Sequence, residues 1–227
     1  MSWTANSAMP FADRREAGVE LAEKVAAYRG RTDVVVLALP RGGVPVAYEV
    51  ARSLSAPLDI FVVRKLDVPG HRELAMGAIA SGGVKVLNDD VVGWYRIPTA
   101  VIDEVAREEA IELERREQTY RGQLPPLDLR DRIVLLVDDG LATGSTMKAA
   151  VMAVRAHNPA RIVVAVPVGA AETCQEFREI ADEIVCARTP HPFSAVGQWY
   201  RDFSETSDAE VRALLHEKRR FHVGADK

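Results

Sequence analysis

Five short apolar runs along the chain have the length of β-strands, and each is nearly continuous rather than alternating with polar positions. They cover residues 33–39, 58–63, 133–137, 161–168 and 183–186. Such runs are typical of parallel strands, because helices cover both faces of a parallel sheet. Longer segments with helical spacing of apolar residues lie between them. This alternation predicts an α/β fold with a parallel sheet of about five strands and helices on both faces.

The segments between the strands differ in character. We predict helices over residues 11–28, 44–54, 99–122, 146–157 and 171–181, and a further short strand over 84–87. The helix over 99–122 is densely charged, and its acid–base spacings are typical of a solvated face. The stretch 123–131 is predicted to be a connecting loop rather than a domain boundary. We therefore expect residues 1–227 to form one domain.

Composition limits the classes of function. The chain has 227 residues, 48% of them hydrophobic and 27% charged, with a formal net charge of −4. This balance is that of a globular protein with no general affinity for nucleic acid. The sequence shows no signal-peptide core and no apolar run approaching ~20 residues, so we expect no membrane contact and a cytoplasmic location. Cys174 and Cys186 have no metal-site spacing, and we expect two reduced, buried thiols.

The candidate chemistry is concentrated in residues 134–146, VLLVDDGLATGST. An apolar strand ends at Asp138 and Asp139, and a small-residue turn then leads into a helix. Backbone N–H groups, hydroxyls and the helix N-terminus at Thr143 to Thr146 favour a bound phosphate. The lysine of a P-loop is absent. An N-cap role for Asp139 is the structural alternative.

Two carboxylates beside a phosphate site would repel a bare anion. Sugar hydroxyls can donate hydrogen bonds to carboxylates, and a divalent cation such as Mg²⁺ can bridge the acids to the anion. The pattern therefore indicates a phosphorylated sugar as the ligand, with or without a metal ion.

The same thirteen residues resemble the phosphoribosyl-pyrophosphate (PRPP) signature of the type I phosphoribosyltransferases. The resemblance implies that Asp138 and Asp139 hold the ribose hydroxyls, partly through Mg²⁺, which makes them the candidate metal ligands. It assigns the 5′-phosphate to Ala142, Thr143, Gly144, Ser145 and Thr146. It also implies a small hood over the sheet, for which we take residues of about 67–123 and 188–227, and a homodimer.

Two further motifs at predicted strand ends fit this family. Arg41, Gly42 and Gly43 in LPRGG resemble the pyrophosphate loop, in which a strained non-proline cis peptide is common and Arg41–Gly42 is the bond to inspect. Arg64 and Lys65, placed after the strand 58–63, resemble the basic pair that contacts pyrophosphate. The structural alternatives are a tight strand-to-helix turn for the first motif and an ordinary surface pair for the second.

The resemblance is weaker around the acceptor. Residues 69–83 resemble the start of the family's mobile active-site loop, in which His71, Arg72 and Glu73 could meet substrate, and a surface hairpin is the alternative. Phe193, Trp199 and Tyr200 are candidates to stack on a flat acceptor, or to pack the hood on the core. Ala142 stands where some 6-oxopurine enzymes carry an acid, which disfavours hypoxanthine and guanine.

The sequence thus predicts Mg²⁺-dependent transfer of the phosphoribosyl group from PRPP to an unidentified small-molecule acceptor, with a nucleobase as one candidate. The residues expected to act in catalysis are Asp138, Asp139, Arg41, Arg64 and Lys65. The alternatives are a non-catalytic protein that senses PRPP or a nucleotide, and a phosphohydrolase that uses the same acids.

Overall fold

Five strands form the parallel sheet that the apolar runs predict. The computed structural model describes residues 9–122 and 124–223. Within them the strands are β1 (Val34–Ala38), β2 (Leu58–Ile60), β6 (Ile133–Val137), β7 (Arg161–Val168) and β8 (Glu183–Arg188), in the order β2-β1-β6-β7-β8. The edge strand β8 is half-buried, whereas the other four are buried along most of their length. The predicted α/β fold is confirmed.

Helices cover both faces of this sheet, as predicted. The α-helices of the described residues are α1 (Arg14–Lys24), α2 (Gly43–Leu54), α3 (Asp89–Tyr95), α4 (Thr99–Arg121), α5 (Ser145–Arg155), α6 (Ala171–Glu176) and α7 (Asp208–Val223). Of these, α3 and α4 pack against strands outside the parallel sheet. Along β6, Leu135 and Val137 pack into the core shared with α1 and α2, whereas Val134 and Leu136 pack toward α5 and α6. Side chains alternate along a strand, so a strand buried on both faces must be apolar throughout.

A second, antiparallel sheet was not predicted as such. It consists of β3 (Val63–Val68), β4 (His71–Ala80) and β5 (Val84–Leu87), in the order β3-β4-β5. Only β5 was expected as a strand, because β3 and the start of β4 are rich in charged residues. Pro69 and Gly70 connect β3 to β4, so residues 69–83 lie in antiparallel hairpins, and their expected role as a mobile loop stays a prediction. The side chains of Arg72 and Glu73 lie outside the described residues.

The segments near the two ends of the described chain are joined side by side. The Phe11 N–H donates to the Trp199 carbonyl at 2.8 Å, and the Arg201 N–H donates to the Phe11 carbonyl at 2.8 Å. Phe11 is buried against Tyr200, with ring centroids 5.6 Å apart. This join fixes the segment after β8 to the start of α1. No helix in the described ranges is long and apolar enough to cross a membrane.

The two cysteines are paired, so the expectation of two reduced thiols was wrong. Cys174 of α6 and Cys186 of β8 form a disulfide with Cα atoms 6.8 Å apart. Both pack in the apolar cluster between the sheet and α5. Their separation in sequence carries no signal for pairing, which arises only because α6 folds back beside the edge strand.

This pairing predicts a measurable share of the stability. The disulfide joins residues 12 apart, and closing a loop of that size is worth about 2–3 kcal/mol. We expect the Cys174→Ser, Cys186→Ser double variant to lose about that much free energy of unfolding in a urea titration. Wild type treated with dithiothreitol should match the variant. Two titratable thiols in the denatured, unreduced wild type would contradict the pairing.

Candidate active site

The acid pair lies where ligands bind in open parallel sheets. The chain runs outward from β1 to β2 on one side and from β6 to β8 on the other, so β1 and β6 flank the switch point. Ligands bind outside the carboxyl ends of the strands at such a point. The LPRGG loop follows β1, and Asp138 and Asp139 follow β6. The two motifs therefore face each other across the switch point.

The turn that follows Asp138 and Asp139 is held in place by hydrogen bonds to the end of β7 and to α6. The Leu141 N–H donates to the Val168 carbonyl at 2.9 Å, and the Thr173 hydroxyl donates to the Ala142 carbonyl at 2.6 Å. Gly144 has φ +71°, and a Cβ there would lie 2.6 Å from the ring of Phe177. Only glycine meets both conditions. The glycine of the TG pair is thus required by the turn itself.

Above this support lies an open pocket of about 160 Å³. It is lined by Asp138, by residues 140–147 and by Val196. Thr143, Ser145 and Thr146 are exposed, and α5 begins at Ser145, so its first-turn amides have no partner within the helix. The predicted phosphate residues, Ala142 to Thr146, are therefore brought together with the first acid.

Burial makes the two carboxylates electrostatically costly. Asp138 Oδ1 accepts a hydrogen bond from the Asp139 N–H at 2.9 Å. Burial, with repulsion from Asp139 second, raises the pKa of Asp138 well above its usual range. Burial also raises the pKa of Asp139, against the opposing effect of Arg14. A divalent cation would offset this cost, and oxygen donors of this kind suit Mg²⁺.

Arg14 is a site residue that sequence reasoning missed. Its Nε donates to Asp139 Oδ2 at 2.8 Å. It opens α1, 125 residues from its partner, and no motif marks it. The hood contributes as well, since the Tyr200 hydroxyl donates to the Asp139 carbonyl at 2.5 Å. Tyr200 is thus buried against the acid pair rather than presented as a stacking surface.

The pyrophosphate-type loop packs directly on the acid pair. A Cβ on Gly42 would lie 2.1 Å from Asp139 Oδ2, and one on Gly43 would lie 2.7 Å from the Val137 carbonyl. The two glycines are therefore required by close packing rather than by an unusual φ. The non-proline cis peptide is present, but it joins Pro40 to Arg41, so the expected position at Arg41–Gly42 was wrong by one bond.

The three predicted cations are each paired with carboxylates. Arg41 forms an ion pair with Glu205 and lies 3.5 Å from Asp208. Arg64 and Lys65 lie inside β3, so their expected place at the carboxyl end of a core strand was wrong. The sheet strand ends at Ile60, because the chain then turns to pair with β4. Arg64 pairs with Glu109 of α4 at 2.6 Å, and Lys65 lies 3.5 Å from Asp67.

The aromatic residues of the hood divide into two groups. Phe193 and Trp199 have nearly parallel rings, 14° apart in plane, with centroids separated by 6.5 Å. Both are partly exposed, and Val196 between them in sequence lines the pocket at the 140–147 turn. These two rings are therefore better placed than Tyr200 to meet a flat ligand.

The raised pKa of Asp138 predicts a stabilising substitution. The pKa of Asp138 is higher in the folded protein than in the unfolded chain, so between these two values the native state binds more protons than the unfolded state. The free energy of unfolding therefore falls as pH rises through this window. Asp138→Asn removes the cost, and we expect its Tm in EDTA to exceed that of wild type at pH 7.5. A gain of 1 kcal/mol would raise Tm by about 2–4 °C. The difference should shrink toward pH 4, and a gap that is independent of pH would contradict this origin.

Known proteins resemble this chain over most of its length. A family model described as phosphoribosyl transferase domain matches residues 14–197. A protein of Mycobacterium tuberculosis strain H37Rv, named "Putative phosphoribosyl transferase Rv0571c", is 53% identical over 90% of this chain. The chain spans 46% of that relative's length. The crystal structure of TT1426 from Thermus thermophilus has a TM-score of 0.85 and 42% identity, covering 92% of this chain and 99% of the other. The chain belongs to the phosphoribosyl transferase domain family.

Proposed function

We propose that this domain transfers the phosphoribosyl group of PRPP to an acceptor and releases pyrophosphate. The observation that carries the proposal is the shared pocket of Asp138 and the 140–147 turn, against which the Gly42 loop packs. In this arrangement a phosphate and a sugar can be held side by side. A cytoplasmic location and a homodimer stay predictions.

Different residues would bind different parts of PRPP. The amides and hydroxyls of Thr143, Ser145 and Thr146 would hold the 5′-phosphate at the start of α5. Asp138 and Asp139 would accept hydrogen bonds from the ribose hydroxyls, and their charge would stabilise positive charge developing at C1. Bound Mg²⁺, held by these acids and the substrate, would neutralise charge on the departing pyrophosphate.

The leaving group and the acceptor would lie on either side of C1. Arg41, Arg64 and Lys65 would approach the pyrophosphate after exchanging their present carboxylate partners for it. A flat acceptor would stack on Phe193 or Trp199, whose rings are nearly parallel and which belong to the same segment as the pocket residue Val196. Closure of the hood over C1 would exclude water, which would otherwise hydrolyse the ribosyl centre.

The acid pair offers a test with a matched control. Asp138→Asn combined with Asp139→Asn should abolish binding of Mg²⁺–PRPP in calorimetry, because the amides keep neutral acceptors but lose the negative charges that would hold Mg²⁺ and strengthen hydrogen bonds from the ribose. The only other Asp–Asp dipeptide of the sequence, Asp89–Asp90, is exposed on α3. The same double change there should leave binding intact. Unchanged binding in the first variant would contradict the site assignment.

Turnover is tested by following pyrophosphate. The protein is incubated with PRPP and Mg²⁺, with and without a panel of nucleobases. Release that requires one particular base is the expected result for a transferase. Binding without release would instead favour a sensor, and release that is independent of any base would favour a hydrolase.

The ion pair of Arg41 predicts a gain in affinity. Glu205 is largely exposed and forms an ion pair with the guanidinium of Arg41, which would have to release it to bind pyrophosphate. Exposed pairs are worth about 0–1 kcal/mol, so Glu205→Gln should tighten PRPP binding by up to about fivefold. Glu210→Gln, which removes the same charge nearby on α7, serves as the control and should change little. Weaker binding in the Glu205 variant would show that Glu205 assists rather than competes.

A further inference from the structure

Arg14 contacts the acid pair from outside every motif of the sequence. Its side chain and that of Asp139 are only 11% and 16% exposed, so their ion pair is largely removed from water. Such a pair is weak support for stability, because desolvation of both charges offsets their attraction. A largely buried pair at a ligand site therefore calls for another role.

The guanidinium of Arg14 is held on more than one side. While Nε donates to Asp139, Nη1 donates to the Ser204 carbonyl at 2.7 Å. The guanidinium carbon lies 4.0 Å from the centroid of the Phe203 ring, a cation–π contact. The planar fork of arginine can serve both acceptors at once, which the single ammonium of lysine cannot do in the same way.

The position of Arg14 is fixed by the fold before any ligand binds. The Asp13 carboxylate accepts hydrogen bonds from the N–H groups of Arg15 at 2.8 Å and Glu16 at 2.9 Å, which starts α1 at Arg14. The Asp202 N–H donates to the Ala12 carbonyl at 2.9 Å. Arg14 thus sits between a capped helix start and a backbone join to the hood.

These contacts leave Asp139 with one defined orientation. Its Oδ2 is taken by Arg14 and faces the Cα of Gly42, its N–H is donated to Asp138, and its carbonyl accepts from Tyr200. The carboxylate cannot rotate without breaking the ion pair. Its other oxygen, Oδ1, is the one left to meet a sugar hydroxyl.

We propose that Arg14 is a positioning residue for the phosphoribosyl transfer reaction, acting through Asp139. By holding Oδ2 it would keep Oδ1 in place for a ribose hydroxyl, so that the sugar meets an acceptor already oriented. Arg14 itself does not touch the substrate. This inference rests on the proposed function.

The test separates the sugar from the phosphate. Calorimetry with Mg²⁺ measures the affinity for ribose 5-phosphate and for inorganic phosphate, which probes only the turn at 143–146. In wild type the sugar phosphate should bind about tenfold tighter, the expected size of a hydrogen bond to a charged group. Arg14→Met should lose most of that advantage and keep the affinity for phosphate within twofold.

A matched control and a conservative variant complete the experiment. Arg15→Met removes the same charge from the adjacent, exposed position and should keep the wild-type ratio. Arg14→Lys, which keeps the charge if the methionine variant does not fold, should lose about threefold for the sugar phosphate, because it lacks the fork. A lysine variant equal to wild type would overturn the role of the fork.

The remaining outcomes are distinguishable. If Arg14→Met keeps the tenfold ratio, or loses both affinities equally, Arg14 is structural and the positioning role is overturned. If wild type binds ribose 5-phosphate no better than phosphate, the acids do not hold a sugar and the proposed function itself fails.

Discussion

The burial of two adjacent carboxylates at the end of β6 is the constraint on which the rest of the site depends. β6 is apolar throughout because helices cover both of its faces, so the first polar residues must appear where the strand leaves the core. There they repel each other in a poorly hydrated place. Arg14 at the start of α1 pairs with Asp139, and the Asp139 N–H donates to Asp138, and both interactions lower this cost. Val196 of the hood lines the pocket beside Asp138.

Elements formed by residues that are neighbours in the sequence were the ones that could be predicted from it. Residues 133–155 combine strand, acids, turn and helix in one segment, and each part follows from neighbouring residues alone, which is why the sheet and the turn from β6 into α5 were predicted correctly. Arg14 could not be found this way, because its partner is 125 residues distant. Arg64 and Lys65 were misplaced because an apolar run does not show where a chain leaves one sheet for another. The disulfide was missed for a related reason, since pairing depends on how α6 returns to β8.

The three cations predicted for the site, together with Asp139, already have ion-pair partners within the protein. Arg41 is paired with Glu205 just before α7 and with Asp208 at its start, Arg64 with α4, and Asp139 with α1. Each of these contacts joins a core element to a segment outside the sheet, so a ligand that replaces one of them also changes how that segment is held. We therefore expect ligand binding to change how the hood is held, because the ligand would replace carboxylates as the partners of Arg41 and Arg64. This coupling does not require a hinge.

The join between Phe11 and Tyr200 has a consequence for biosynthesis. Arg14 reaches Ser204, 190 residues further along the chain, and contacts so distant in sequence form late because loop closure must come first. During translation the sheet and the turn at 140–147 can form while Arg14, the ion-pair partner of Asp139, still lacks its hydrogen bond to the Ser204 carbonyl. The nascent chain would then carry a folded core with an unfinished site, and the segment around Tyr200 and Ser204 would complete it on leaving the ribosome.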